Sequence, residues 1–215
     1  MMEEEKMHER ANQILRANKS YLADSFVTMR NGHICIPVKK EYRFKIDGKV
    51  KKATLFASAL GVFKIYINGQ EVMNDYLSPG WVNYRKKLPF MQYDVTNMLC
   101  EKNAIGAVLG DGWAVGHLGS DYAFKRNGYS DRIEFTAILR IEYEDGRQEE
   151  IATDESWRAS SGAILRSDIY MGEYIDNRLN LGDYSKYDYD DSSWDVASES
   201  IFKFSRNLYA LKKFL

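Results

Sequence analysis

The sequence predicts an all-β fold, an antiparallel β-sandwich or jelly roll, with an amphipathic helix at its N-terminus. Three observations predict it. Apolar residues recur in short alternating runs, and the runs end at Asp-Gly or Asn-Gly pairs suited to hairpin turns. No long helical pattern separates these runs, which is the pattern of a sandwich rather than an α/β fold. The 15 Tyr, 10 Phe and 4 Trp agree, because aromatic side chains favour strands.

The elements follow in order. Residues 3–22 set Met7, Ala11, Ile14, Leu15 and Leu22 at helical spacing, with Glu3, Glu4 and Glu5 at the positive end of the helix dipole. A polar break covers 23–32. Tyr42, Phe44 and Ile46 then alternate with charged residues up to Asp47-Gly48, where a hairpin is expected. Strand runs follow at 53–59 and 61–67, the second ending at Asn68-Gly69. The run Pro79-Gly80-Trp81 with Asn83-Tyr84-Arg85 reads as structural, its Trp81 packed in the core or under a strap. In Tyr93-Asp94-Val95-Thr96, Asp94 or Thr96 can cap a short turn. Residues 104–109 form an apolar strand, 133–143 a longer one ending at Asp145-Gly146, and 148–153 its continuation. The acid- and tyrosine-rich stretch 182–194 reads as a surface loop. In the closing segment, Phe202 and Phe204 alternate as in a strand, while Leu208, Leu211 and Leu215 are spaced as in a helix. Either form needs a surface to pack on. The expected division is a helical extension over 1–32, a sandwich over 33–200 and a docking tail over 201–215.

Composition narrows the function. The net charge of −1 supplies no long-range attraction for nucleic acid or an anionic membrane. No run reaches the roughly 20 apolar residues that span a bilayer, and no apolar leader is visible, so the chain reads as soluble and cytoplasmic. Cys35 and Cys100 share no metal-ligand spacing and read as free, buried thiols. His33 and His117 stand alone, without a nucleophile or zinc motif, and His117 reads as a surface or hydrogen-bonded structural histidine.

Two clusters carry the chemistry. In Leu109-Gly110-Asp111-Gly112-Trp113, continuing to Gly116 and Gly119, the glycines permit close backbone approach at the end of a strand. Asp111 and Trp113 there suit a monosaccharide: a carboxylate for hydroxyl groups and an indole for an apolar sugar face. The other reading is a tight bend whose Asp caps amides and whose Trp packs inward. No lysine stands where a phosphate loop needs one, and no helical pattern follows. The second cluster is Gly172-Glu173-Tyr174-Ile175-Asp176-Asn177-Arg178, preceded by Ser167-Asp168-Ile169-Tyr170. Glu173, Asp176 and Arg178 form a mixed carboxylate–guanidinium set fit for hydroxyl-rich ligands, or equally an ion pair that fixes a loop.

The ordered segments SALG, NG, PGW, DVT, LGDGW, TDESW, ILRSDIY and DDSSW, over about 42–194, resemble the N-terminal β-sandwich domain of bacterial α-L-rhamnosidases. The resemblance implies a noncatalytic, carbohydrate-binding-type domain that recognises rhamnose-containing glycans or supports the active site of a larger glycoside hydrolase. The alternative is a structural interdomain module with no ligand of its own. The candidate ligand residues are Asp111, Trp113, Glu173, Asp176 and Arg178, and the resemblance implies calcium held by Glu173, Asp176 and Asn177. In that family the catalytic carboxylates belong to a downstream (α/α)6 barrel, so the partner implied is a catalytic domain outside these residues. One departure is Ala114-Val115, where the family often carries an aromatic–basic pair.

Overall fold

A computed structural model describes residues 27–28, 38–40, 44–118, 126–199 and 207–210. In chain order the strands are β1 (Val27–Thr28), β2 (Val38–Lys40), β3 (Phe44–Lys45), β4 (Val50–Leu60), β5 (Val62–Ile67), β6 (Gln70–Glu71), β7 (Lys87–Asp94), β8 (Lys102–Asn103) and β9 (Ile105–Gly110). After one helical turn, α1 (Gly112–Val115), come β10 (Glu134–Tyr143), β11 (Gln148–Ala152), β12 (Trp157–Ala159), β13 (Ile164–Asp168), β14 (Gly172–Ile175), β15 (Asp195–Val196), β16 (Ser198–Glu199) and β17 (Asn207–Ala210).

Two sheets carry most of these strands. One runs β16-β1-β10-β4-β7-β17, with β11 also on β10; the other runs β15-β12-β2-β9-β5-β6. All described pairings are antiparallel except β7 with β17. The two sheets meet through aromatic rings. Phe63 of β5 lies edge-on to Phe135 of β10, with centroids 5.7 Å apart, and Phe135 in turn touches Trp157 of β12 at 6.1 Å. This cross-sheet contact makes the fold an all-β sandwich, as the alternating runs predict.

Strand β4 is central, and its last eight residues are buried in sequence. Such a run shows no alternation because both faces of the strand are covered. Ser58 within it is fully buried and donates to the Pro89 carbonyl at 2.6 Å, so its hydroxyl is satisfied. A single residue, Gly61, carries the chain from β4 in the first sheet to β5 in the second. Its φ is +140°, and a Cβ there would stand 2.5 Å from the Gly110 carbonyl oxygen. Only glycine closes this corner, which brings the end of β9 against the start of β5.

The turn chemistry is reproduced at Asn68-Gly69, with φ of 54° and 83°, and at Gly146, with φ of 88°. Asp94 accepts from the Thr96 amide at 3.0 Å, fixing the turn after β7. Several expectations need correcting. Asp47-Gly48 joins β3 to β4, but β3 pairs with β8, so no hairpin forms there. Cys100 is exposed rather than buried, and Cys35 lies outside the described residues. Trp81 is 55% exposed, while Tyr84 is the buried anchor of that strap and donates to the Gly80 carbonyl at 2.7 Å. Of the two forms open to the closing segment, residues 207–210 take the strand, alongside β7, so Leu208 is not helical; Phe202, Phe204, Leu211 and Leu215 lie outside the described residues. A helical turn, α1, does follow the glycine-rich loop. The N-terminal helix over 3–22 lies outside the described residues. Among the described residues no helix is long and apolar enough to cross a membrane.

Candidate functional site

Strand β9 ends at Gly110, at the corner that Gly61 closes, and the chain turns at once into α1. Gly112 is needed here: its φ is +55°, and a Cβ would meet Val62 Cγ1 at 2.8 Å and the Gly61 carbonyl carbon at 2.9 Å. Asp111 occupies the position before the helix, yet its side chain makes no cap. It is buried and accepts instead from the Arg126 guanidinium, which is itself about a quarter exposed. Trp113 is half-buried and packs against the core. The indole thus packs inward in part, and the carboxylate is engaged by a guanidinium rather than by backbone amides.

The next residues tie this loop to a distant hairpin. Asp168, at the end of β13, is 5% exposed. Its Oδ2 accepts from the His117 amide at 2.9 Å and lies 2.7 Å from His117 Nδ1. Its Oδ1 accepts from the amides of Tyr170 and Met171 at 2.9 and 3.0 Å. Burial pushes the Asp168 pKa up, but the hydrogen bonds from His117 and from the two turn amides outweigh it and hold the group at about 2. An ionised carboxylate only accepts, so the His117 proton facing it sits on Nδ1. Gly116 fits between the two acids: a Cβ would stand 3.0 Å from Asp168 Oδ2 and 3.3 Å from Asp111 Cβ.

Strands β13 and β14 form a separate two-stranded ribbon, with Ser167 opposite Glu173 and Asp168 opposite Gly172. Glu173 is exposed near the Asp168 end of this ribbon. Asp176 and Arg178 lie at its other end, beyond Ile175, which is roughly 10 Å along a strand at 3.3 Å per residue. They pair with each other: Arg178 Nε and Nη2 donate to the two Asp176 oxygens at 2.9 and 2.6 Å. Asp176 also accepts from the Arg178 amide at 3.1 Å, which opens a short 3-10 turn over Asn177–Leu179. The five predicted residues thus do not form a single cluster: Asp111 and Trp113 lie at the turn after β9, Glu173 on β14, and Asp176 with Arg178 beyond the ribbon's other end.

The donor set does not suit calcium as placed. Both Asp176 oxygens face a guanidinium, whose charge opposes a divalent cation at the same atoms. Among the described residues no group of three or more His, Cys, Asp or Glu is placed to hold a metal ion.

Asp111 stands out in the sequence, but its partner Arg126 carries no local signal. Asp168 reads there only as the lead-in to the second cluster. The Asp followed by amides two and three positions on is a turn signal that marks this residue.

The model of the α-L-rhamnosidase N-terminal domain matches residues 48–212. The chain belongs to that family. It is similar to the α-L-rhamnosidases of Streptomyces avermitilis, 37% identical over 147 residues, and of Alteromonas sp., 34% identical over 174 residues. Those alignments take in 68% and 80% of this chain but 14% and 19% of the relatives, so the chain spans under a fifth of their length. Among solved structures, the S. avermitilis α-L-rhamnosidase complexed with L-rhamnose superposes with a TM-score of 0.78 at 32% identity, over 83% of this chain and 17% of that one. The Aspergillus terreus α-L-rhamnosidase gives 0.79 at 32% identity, over 86% and 22%. The glycine-rich loop, the Asp111–Arg126 pair and the Asp168–His117 pair bring engaged polar groups together from segments up to 51 residues apart.

Proposed function

We propose that this α-L-rhamnosidase N-terminal domain is a noncatalytic carbohydrate-binding module, with rhamnose-containing glycans as its ligand class. The observation that supports the reading most is the loop after β9. It presents a half-buried indole and a partly exposed guanidinium, with a mostly buried imidazole, beside two buried carboxylates. Vicinal sugar hydroxyls are held by such mixed donors and acceptors, and the indole covers an apolar sugar face. The buried carboxylates hold Arg126 and His117 in position, which lowers the ordering cost of binding. Catalysis belongs, in this reading, to another part of a larger glycoside hydrolase.

The test is affinity for a rhamnose-containing glycan, measured for the parent chain and for Asp111→Asn, Trp113→Ala, Glu173→Gln, Asp176→Asn and Arg178→Ala. The reading expects at least one of these variants to lose about tenfold in affinity, which is about 1.4 kcal/mol. Unchanged affinity in all five rejects these residues as the ligand set.

A second reading, a structural module that docks on its neighbour, draws on the exposed apolar residues of the β13–β14 ribbon.

A further inference from the structure

The ribbon carries apolar surface that this domain leaves uncovered. All four residues of β14 are exposed, and Tyr170, Met171, Tyr174, Ile175 and Leu179 are 46%, 48%, 65%, 49% and 47% exposed. Successive strand residues point to opposite faces, so Tyr174 and Ile175 present apolar surface on both sides of the ribbon. Strand β14 pairs with β13 alone among the described residues, leaving its outer edge open. An exposed apolar edge of this kind marks a contact surface.

The ribbon is also held in place before any contact. Asp168 at its base accepts four hydrogen bonds, two from its own turn and two from His117, 51 residues away in sequence. A rigid projection loses little conformational freedom on docking.

We propose that the β13–β14 ribbon is a rib that seats in a groove on the part of an α-L-rhamnosidase polypeptide that lies outside this domain. Two observations select that occupant over a second copy. Aromatic side chains carry about 150–250 Å² each, so two tyrosines and three smaller apolar side chains, all about half-exposed, offer at most roughly 600 Å². That suits an interface between domains of one chain, at about 600–1,500 Å² in total, and falls short of the roughly 800 Å² per partner of a stable two-chain complex. The curated relatives, moreover, carry more than four-fifths of their length outside the matched segment, where a groove can lie. Arg166, Glu173 and Arg178 are exposed beside the apolar residues, so the groove's rim meets both signs of charge. The proposal rests on membership of the family and not on sugar binding.

The experiment places p-benzoylphenylalanine in place of Tyr174, and separately of Ile175, in two proteins. One is the 215-residue chain; the other is the S. avermitilis α-L-rhamnosidase with its matched segment replaced by residues 48–212 of this chain. The expected result is a cross-link in the chimera to a peptide outside the exchanged domain, with none in the 215-residue chain. A cross-linked dimer of the isolated chain overturns the proposal in favour of a second copy. An active chimera with no cross-link beyond its own domain overturns it outright. If the chimera fails to hydrolyse a rhamnoside, the probe goes into the intact S. avermitilis enzyme at the ribbon positions that superpose on Tyr174 and Ile175, with the same two outcomes decisive. The readout is the cross-link and not sugar binding by this domain, rhamnoside hydrolysis serving only to show that the chimera is folded, so a failure here is distinct from a failure of the sugar-binding reading.

Discussion

Asp168 Oδ2 receives both the backbone amide of His117, at 2.9 Å, and its Nδ1, at 2.7 Å, and so fastens the β13–β14 ribbon to the loop that follows β9. The carboxylate is buried, and its other oxygen serves the turn of its own ribbon. Replacing it with an amide of the same shape turns an NH2 group toward donors. Asp168→Asn is expected to cost about 2–4 kcal/mol, since hydrogen bonds to a buried charge are worth about 1.5–3 kcal/mol each and donors are left unmatched. Urea unfolding of the parent and variant chains measures it.

The same carboxylate sets an acid limit. Its folded pKa is about 2 against an ordinary value of 3.8. A lowered carboxylate pKa contributes stability that is fully present above the unfolded value and is lost as pH falls through the folded one. The window therefore runs from pH 3.8 down to about 2, and the contribution is about 2 kcal/mol at 1.36 kcal/mol per unit. Stability measured against pH should fall through that window in the parent chain and fall less in Asp168→Asn. Identical slopes would show that the His117 and turn-amide contacts do not stabilise the charged form.

Two glycines with positive φ should respond differently to alanine. At Gly61 a methyl group stands 2.5 Å from a backbone oxygen, whereas at Gly80, with φ of +92°, it meets nothing within 4 Å. Gly61→Ala is expected to cost about 3 kcal/mol or more, combining backbone strain with a clash that cannot relax. Gly80→Ala carries the strain alone, about 1 kcal/mol. Thermal melts of the two variants rank them, and an equal loss would place the corner elsewhere.

Tryptophans divide in the same way. Trp157 is 1% exposed and joins the contact between the sheets, so Trp157→Ala should cost about 3–5 kcal/mol. Trp81 is 55% exposed, and Trp81→Ala should change stability by under about 0.5 kcal/mol. Chemical denaturation distinguishes them directly.

What the sequence revealed was governed by local rules. The Asn68-Gly69 and Asp145-Gly146 turns were legible because positive φ is a property of those residue types. Long buried strands such as β4 were legible from apolar runs. Pairing between distant segments was not. Phe44–Lys45 looks like half of a hairpin with β4, but its partner is Lys102–Asn103, and no local pattern states that choice. Nor does one join Arg126 to Asp111 or His117 to Asp168; the fold brings each pair together. The exposure of Trp81 was hidden for a related reason, since its neighbour Tyr84 fills the buried place under the strap. Asp176 and Arg178 were legible as a pair because two positions separate them, and their mutual bond leaves the ligand role to experiment.

The most direct measurement is a calorimetric titration of the purified chain with L-rhamnose, with calcium and again with a chelator. The account predicts saturable heat in both conditions, reduced by Asp111→Asn or Trp113→Ala in protein that remains folded. Heat that disappears in chelator would require a metal site that the Asp176–Arg178 pairing does not offer. No heat in either condition would contradict the sugar-binding account and leave a domain whose part is played by the β13–β14 ribbon.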